Sequence, residues 1–181
     1  KLAWESVTSE TEIKNYPSEM SWAGGYIYFN LQNSGVDLDY LRNIYRYNYL
    51  ANNYRMAQVA NTLTSINRIS IITPIKSFGL SLSRHSLGQR PVGDFDFYVE
   101  PEALNKIKEA LQENGFHPLM GISDELFKSE VRGARGSWNY INSKNDDLDV
   151  HWRIFDHLSE KSNKRLVQNN CVFVDGKFGV H

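Results

Sequence analysis

Three pairs of aspartates, each separated by a single residue, are the side chains of this sequence best suited to holding a metal ion. Divalent cations such as Mg²⁺ take oxygen ligands, and carboxylates commonly link them to the phosphates of a substrate. Two carboxylates at positions i and i+2 lie on the same face of a β-strand, because successive side chains point to opposite faces. The three pairs are Asp37 and Asp39, Asp94 and Asp96, and Asp147 and Asp149.

The first pair falls where an amphipathic helix is predicted to begin. Apolar residues recur at three- and four-residue steps from Leu41 to Ile66, which is typical of a helix or a helix pair. Asp37 and Asp39 are therefore interpreted as acids of the first turn, where they cap the helix and interact favourably with its dipole.

The second pair differs because it ends a glycine-containing loop and begins an aromatic strand. Asp94 and Asp96 follow the sequence Arg-Pro-Val-Gly and alternate with Phe95 and Phe97. Burial of acids at such a place is costly without compensation, so a metal site is one interpretation. A turn with two solvated aspartates is the other, and the pattern alone does not choose between them.

The third pair belongs to a predicted strand that carries a histidine on the same face. Asp147, Asp149 and His151 alternate with the apolar residues at positions 148, 150 and 152. Asp147 is close to the turn and is predicted to be solvated, whereas Asp149 lies deeper and is the better candidate ligand. We interpret His151 first as a hydrogen-bonded structural residue, with assistance to a metal site as the alternative.

The apolar pattern predicts an α/β (α+β) fold, a mixed sheet flanked by helices with a helical segment before it. Helices are predicted from residue 37 onward, over 77–85 and from Pro101 to residue 114. Strands are predicted over residues 69–75, 95–99, 116–120, 138–141 and 148–154. The last two are predicted to form a hairpin, and a further small hairpin is predicted over 172–180. Residues 1–40 are interpreted as an N-terminal extension and 41–181 as the domain, which we expect to be part of a longer chain.

The overall composition limits the classes of partner. The net charge is −1, so no global positive field favours general nucleic-acid binding. The single cysteine, Cys171, excludes an intramolecular disulfide. No apolar run has the length of a membrane helix, and we expect a cytoplasmic protein that has no membrane partner.

Four motifs in order resemble a bacterial family of uncharacterised nucleotidyltransferases within the DNA polymerase β-like superfamily. The first is a helix with an arginine near its middle, Arg55, and the second is an apolar strand ending in Lys-Gly, here Lys76 and Ser77. The third is Arg-Pro-x-Gly-Asp-apolar-Asp-apolar-x-Val over residues 90–99, and the fourth is Asp-apolar-His-Trp over residues 149–152. The motifs cover most of the chain.

The resemblance implies that Asp94 and Asp96 bind metal and that Asp149 is a third carboxylate, which activates the attacking hydroxyl. It implies a nucleotidyltransferase that moves a nucleoside monophosphate from a nucleoside triphosphate to an acceptor hydroxyl with Mg²⁺ or Mn²⁺, in a two-ion site. The sequence does not select among a small molecule, a protein side chain and an RNA end as acceptor.

Ser77 departs from the glycine of the family motif. Its Cβ hinders the close approach of the backbone to a phosphate. The alternative function is therefore a catalytically impaired module on the same fold that binds nucleotides or another protein.

Basic residues around the motifs are predicted to contact phosphates. Lys76, Ser77 and Arg90 are interpreted as nucleotide-binding residues, Arg90 because of its planar group with several donors. The alternative for Arg90 is an ion pair with Asp94 or Asp96. Arg135 lies in a glycine-flanked basic segment, and it is interpreted either as an accessory contact to nucleotide or acceptor or as part of a solvated loop.

Overall fold

The computed structural model describes residues 18–35, 39–83, 87–121, 123 and 132–170 of the chain. Contacts between Cα atoms divide the chain into two compact units. The first unit comprises residues 1–57 and 84–93, and the second comprises residues 58–83 and 94–181. The predicted hairpin over 172–180, together with Asp37, lies outside the described residues.

The described part of the first unit consists of helices and a loop over residues 87–93. Helix α1 (Ser18–Leu31) is followed by a 3-10 turn (Gln32–Ser34), and helix α2 (Asp39–Ile69) begins within this unit. Helix α2 is continuous over its 31 residues. Its buried Leu41 and Ile44 lie against Gly24 of α1, where a Cβ would approach Ile44 to 2.8 Å. The helices therefore pack closely through this glycine.

Asn52, a buried residue of α2, fixes the loop that carries the Arg-Pro-Val-Gly sequence. Its amide nitrogen donates to the carbonyls of Leu87 (2.6 Å) and Arg90 (2.8 Å), and its Oδ1 accepts from the Val92 amide (2.8 Å). Arg55, one turn further along α2, donates to the Val92 carbonyl. The arginine of the first motif thus supports the loop of the third.

The second unit contains a five-stranded mixed sheet with the order β1-β2-β5-β4-β3. Strands β2 and β5 are parallel, and the other neighbouring strands are antiparallel. The strands are β1 (Thr73–Pro74), β2 (Phe95–Tyr98), β3 (His117–Pro118), β4 (Ser137–Ile141) and β5 (Asp147–His151). The helices are α3 (Lys76–Ser83), α4 (Leu104–Glu113, after a 3-10 turn at Pro101–Ala103) and α5 (Glu160–Asn170), with a single helical turn at Arg132–Ala134.

Strands β2, β4 and β5 share one apolar face and one polar face. The apolar face is formed by side chains that are almost completely buried, namely Phe95, Phe97, Trp138, Tyr140, Leu148 and Val150. In helix α4 the buried residues recur at three- and four-residue steps, which is the pattern of a helix packed on a core. The alternation predicted for the strands is therefore confirmed, and so is the mixed sheet flanked by helices.

The prediction of a strand over residues 69–75 was wrong for most of its length. Helix α2 continues to Ile69, and only Thr73 and Pro74 pair with β2. The Asn67 side chain accepts a hydrogen bond from the Ile72 amide (3.1 Å) just after the helix ends. The other long strand predictions also shorten, to His117–Pro118 and to Asp147–His151. No helix within the described ranges is long and apolar enough to cross a membrane.

Candidate functional site

The parallel pairing of β2 and β5 places two aspartates side by side on the polar face of the sheet. Asp96 is in register with Asp149, and Tyr98 is in register with His151. Asp96 is completely buried, and Asp149 and His151 are 6% and 7% exposed. The aspartates of two motifs that are far apart in the sequence therefore meet at one place.

His151 contacts both carboxylates through a single nitrogen. Its Nε2 lies 2.9 Å from Asp149 Oδ2 and 3.1 Å from Asp96 Oδ1. The three residues each offer a ligand atom, and these atoms all lie within 4.8 Å of one another. Among the residues that the structure describes, Asp96, Asp149 and His151 therefore form a group that could hold a metal ion.

Lys76 supplies a positive charge to the same carboxylates. Its Nζ lies 2.5 Å from Asp96 Oδ1 and 3.6 Å from Asp149 Oδ2, and 54% of its side chain is exposed. Lys76 is the first residue of α3 and has a positive φ of 49°. The turn into α3 is tight, because a Cβ on Gly79 would meet the Pro74 carbonyl oxygen at 2.6 Å. The backbone thus turns sharply from β1 and directs this ammonium to the acidic group.

The charges of the group stabilise one another. Burial by itself would lower the pKa of His151, but its hydrogen bonds to Asp149 and Asp96 outweigh burial and raise this pKa. Burial would raise the pKa of Asp149, but the imidazole of His151, the charge of Lys76 and the nearby Ser137 hydroxyl lower it. The pKa of Lys76 is raised, since the opposing effect of burial is exceeded by Asp96, Asp149 and Asp94. These shifts favour an anionic Asp149 beside protonated His151 and Lys76.

Two carboxylate oxygens of the group lack a hydrogen-bond partner among the described residues. Asp96 Oδ2 and Asp149 Oδ1 are buried and have no hydrogen-bond partner in the described part of the chain. A buried carboxylate oxygen without a partner is costly, and in native structures such an atom commonly indicates an ion or a functional contact. The donor set of two carboxylates and an imidazole fits a divalent cation.

A comparison with known protein families found a matching family model. Residues 24–174 match the model of a family described as uncharacterised nucleotidyltransferase. The chain belongs to this family. A search of curated proteins found no match, and a search of solved structures found none either.

Two further residues predicted for the site, Asp94 and Ser77, lie close in the sequence to residues described above. Asp94 is half-buried just before β2, and its charge contributes to the raised pKa of Lys76. Ser77 is half-buried in the first turn of α3, directly after Lys76. Asp94 lies two residues before Asp96, and Ser77 directly follows Lys76. Their roles as metal ligand and phosphate contact stay predictions.

The two predicted arginines have aromatic neighbours. In the first unit, the guanidinium carbon of Arg90 lies 5.0 Å from the centre of the Trp22 ring. In the second unit, the guanidinium carbon of Arg135 lies 5.1 Å from the centre of the Trp138 ring. Both distances are within the range of cation–π contacts. Neither pairing with tryptophan has a signal in the amino-acid sequence.

Two residues of β4 were missed in the sequence and lie beside the acidic group. Ser137 is in register with His151, and Asn139 is in register with Asp149. The Asn139 amide also donates to Asp147 Oδ1 (3.3 Å). The predicted hairpin placed β4 next to β5, and the signal that could have found these residues is the register of that hairpin.

Proposed function

We propose that this chain is a metal-dependent nucleotidyltransferase of the DNA polymerase β-like superfamily, which moves a nucleoside monophosphate from a nucleoside triphosphate to an acceptor hydroxyl. The observation that carries the proposal is the meeting of Asp96 and Asp149 in a buried group with open carboxylate oxygens. The family match over residues 24–174 supports the reaction class. The cytoplasmic location stays a prediction.

The candidate ligands are Asp96 and Asp149, with Asp94 as the further carboxylate that the sequence motif implies. Mg²⁺ or Mn²⁺, in a pair of ions, would polarise the phosphate and offset the charge that develops during transfer. His151 suits Mn²⁺ better as a direct ligand, because Mg²⁺ prefers oxygen. In a magnesium-bound site His151 would instead stay hydrogen-bonded to the carboxylates.

Lys76 has a role on the phosphate side of this site. In the structure its ammonium balances the charges of Asp96 and Asp149. A divalent cation held by the same carboxylates would replace that counter-charge. The long, half-exposed side chain of Lys76 would then be available for the triphosphate, as the sequence motif predicts. Lys76 therefore holds the site together without metal and binds phosphate with metal.

The proposed transfer exchanges one P–O bond for another. The acceptor oxygen forms a bond to the α-phosphorus, and the bond from that phosphorus to the bridging oxygen of the β-phosphate breaks. The acceptor proton passes to Asp149, whose Oδ1 makes no other hydrogen bond with the described residues. Pyrophosphate leaves on the opposite side, because the attacking and leaving oxygens are in line, and Lys76 neutralises part of its charge.

Ser77 supports the second candidate, a nucleotide-binding or protein-interaction module without turnover. It stands where the family motif has glycine, at the first turn of the helix that begins with Lys76. A Cβ at this position restricts how closely phosphate oxygens approach the backbone amides. Ser77→Gly would raise turnover in an active enzyme by easing this approach, whereas in the module it would change nucleotide affinity alone.

Thermal unfolding with Mn²⁺ and each nucleoside triphosphate tests the metal site. Nucleotide should stabilise the wild type only when Mn²⁺ is present, since a ligand that binds the native state raises its stability. Asp96→Asn should abolish this stabilisation. Asp147→Asn is the matched control, because it changes the same residue type on the neighbouring strand outside the metal-ligand group. Equal responses of the wild type and Asp96→Asn would refute the metal-site assignment.

Transfer of label from α-³²P nucleoside triphosphates measures turnover separately. Label that moves to an acceptor in the wild type, and not in Asp96→Asn, supports the enzyme. Metal-dependent nucleotide binding without label transfer to any acceptor class would support the non-catalytic module instead.

A further inference from the structure

A cleft of about 350 Å³ opens beside His151 in the second unit. Ser137 and Asn139 of β4 line it together with His151, so it borders the acidic group on the side away from β2. Leu119 and Met120 add exposed apolar surface. This volume lies at the lower end of the range for small-molecule sites, which is roughly 300–1,000 Å³.

The wall of the cleft is anchored by Arg153. Its guanidinium donates to the carbonyls of Arg132 (3.1 Å), Gly133 (2.8 Å) and Arg135 (2.6 Å). The amides of Trp152 and Arg153 both donate to the Gly136 carbonyl. Residues 132–136 are therefore fixed to the end of β5, and the backbone that carries Arg135 is held in place.

The two arginines of the cleft have different tasks. The guanidinium of Arg153 is occupied by backbone carbonyls, whereas that of Arg135 rests on Trp138 and is exposed. An exposed guanidinium presents a planar fork of donors that matches phosphate and carboxylate groups. Asp156 also lines the cleft and offers an acceptor for hydroxyl groups. The lining thus suits a molecule that has hydroxyls and one anionic group.

The cleft and Lys76 flank the acidic group from different strands. Lys76 contacts Asp96 of β2, while Ser137 and Asn139 belong to β4, and β5 with Asp149 lies between β2 and β4. Attack opposite to the leaving pyrophosphate requires the acceptor on the side away from Lys76. The cleft is on that side.

We infer that this cleft binds the acceptor, and that the acceptor is a small hydroxylated molecule carrying a phosphate or a carboxylate. The inference rests on the proposed function. An RNA acceptor needs a basic surface along its backbone, while this chain has a net charge of −1 and Asp156 in the cleft. A stable contact with a protein acceptor covers about 800 Å² on each partner, a much larger surface than this cleft offers.

Binding of three matched probes tests the cleft without metal or nucleotide. Glucose 6-phosphate and gluconate carry the two candidate anionic groups, and glucose carries neither. Titration calorimetry should show that at least one anionic probe binds the wild type about tenfold more tightly than glucose. Arg135→Gln should remove this preference, and Arg165→Gln, an exposed arginine on α5 outside the cleft, should keep it.

A second variant of the same cleft should change the affinity for the anionic probe in the opposite direction. Asp156→Asn removes a negative charge from the lining, so it should tighten the binding of the anionic probe severalfold. One variant weakens the complex and the other strengthens it, so a general loss of folding cannot explain both effects. Equal affinities in Arg135→Gln and the wild type, binding of glucose as tight as that of the anions, or binding of none of the three probes would each overturn the inference.

Label transfer separates this inference from the function on which it rests. With Mn²⁺ and α-³²P nucleoside triphosphates, small hydroxylated anions should receive label, and a ribonucleotide hexamer or a serine-containing peptide should not. Transfer to the hexamer or the peptide alone would overturn the acceptor class and leave the nucleotidyltransferase intact. Absence of any metal-dependent nucleotide binding would instead refute the proposed function.

Discussion

The aspartate pairs of β2 and β5 have the same spacing, lie on parallel strands and still differ in their surroundings. The second members, Asp96 and Asp149, are buried in register and share His151 and Lys76 as partners. The first members are only half-buried, Asp147 at the beginning of β5 and Asp94 just before β2. Asp147 accepts from Asn139, whereas the charge of Asp94 acts on Lys76.

This difference shows that the motif spacing alone does not define a site. Depth along the strand decides which carboxylate is removed from water, and the neighbouring cations decide whether it stays charged there. The first members, Asp94 and Asp147, are both half-buried. Of the two, Asp94 is the one whose charge raises the pKa of Lys76. The two pairs therefore predict a graded series of mutational effects.

Asp149→Asn should have the largest effect. It removes the predicted proton acceptor and one of the two buried carboxylates, so nucleotidyl transfer should fall about 10³-fold, a loss typical of removing one main electrostatic contact of a transition state. Label transfer at saturating nucleotide measures the change. A rate within threefold of the wild type would show that the deep carboxylate of β5 is not part of the reaction.

Asp94→Asn should rank second. It removes the metal ligand that the sequence motif predicts at the edge of the group, so Mn²⁺ affinity should fall about 10- to 100-fold, as it does when residues that support a metal site are lost. Electron paramagnetic resonance of free Mn²⁺ measures this affinity. Asp147→Asn should leave the affinity within twofold, and equal behaviour of the two variants would make the first members equivalent.

Lys76→Gln should act in the opposite direction on metal. It removes the cation that competes for Asp96 and Asp149, so Mn²⁺ affinity should rise about tenfold, equivalent to roughly 1.4 kcal/mol, while the affinity for nucleotide falls. Lys164→Gln is the matched control, since Lys164 pairs with Glu100 outside the acidic group. An unchanged or weaker affinity for Mn²⁺ in Lys76→Gln would contradict the competition.

The pH dependence of the metal-free protein should show a smaller effect. The raised pKa of His151 means that its protonated form stabilises the fold. This contribution is complete below the ordinary histidine pKa of about 6.5 and is lost as the pH rises through the raised value in the folded state. The melting temperature in chelator should therefore fall by a few degrees above neutral pH. His151→Asn should flatten this dependence, and a wild-type profile that rises with pH would contradict the shift.

The alternation of the strands made the central part of the fold predictable. Phe95 and Phe97 against Asp94 and Asp96 indicated one apolar and one polar face, and the same period identified β5. The prediction for residues 69–75 was misled because β-branched residues favour a strand. Here the first of them, Ile69, is instead the last residue of helix α2. Ile66, which is completely buried, continues the apolar face of α2 almost to the end of the helix at Ile69.

The acidic group was predictable in part of its membership and not in its contacts. Asp96 and Asp149 were predicted as metal ligands together with Asp94, while His151, on the same strand face as Asp149, was interpreted first as a structural residue. The contact of Lys76 with Asp96 depends on the pairing of a two-residue strand and on a positive φ, neither of which has a sequence signal at a lysine. The pairing of Arg90 with Trp22 joins residues far apart in the chain, so it too required the folded structure.

The backbone at Lys76 has a consequence for how this position can change. A φ of 49° is a conformation that glycine or asparagine adopts more readily than lysine, and such a residue commonly carries a strain of about 1–3 kcal/mol. Asn145, in the turn between β4 and β5, occupies the same region of backbone space with a residue suited to it. Lys76→Gly would thus relieve the strain of the turn, while it removes from Asp96 and Asp149 the ammonium that balances their charge. The local conformation and the chemistry of the site favour different residues at position 76, and the chain carries the residue that serves the chemistry.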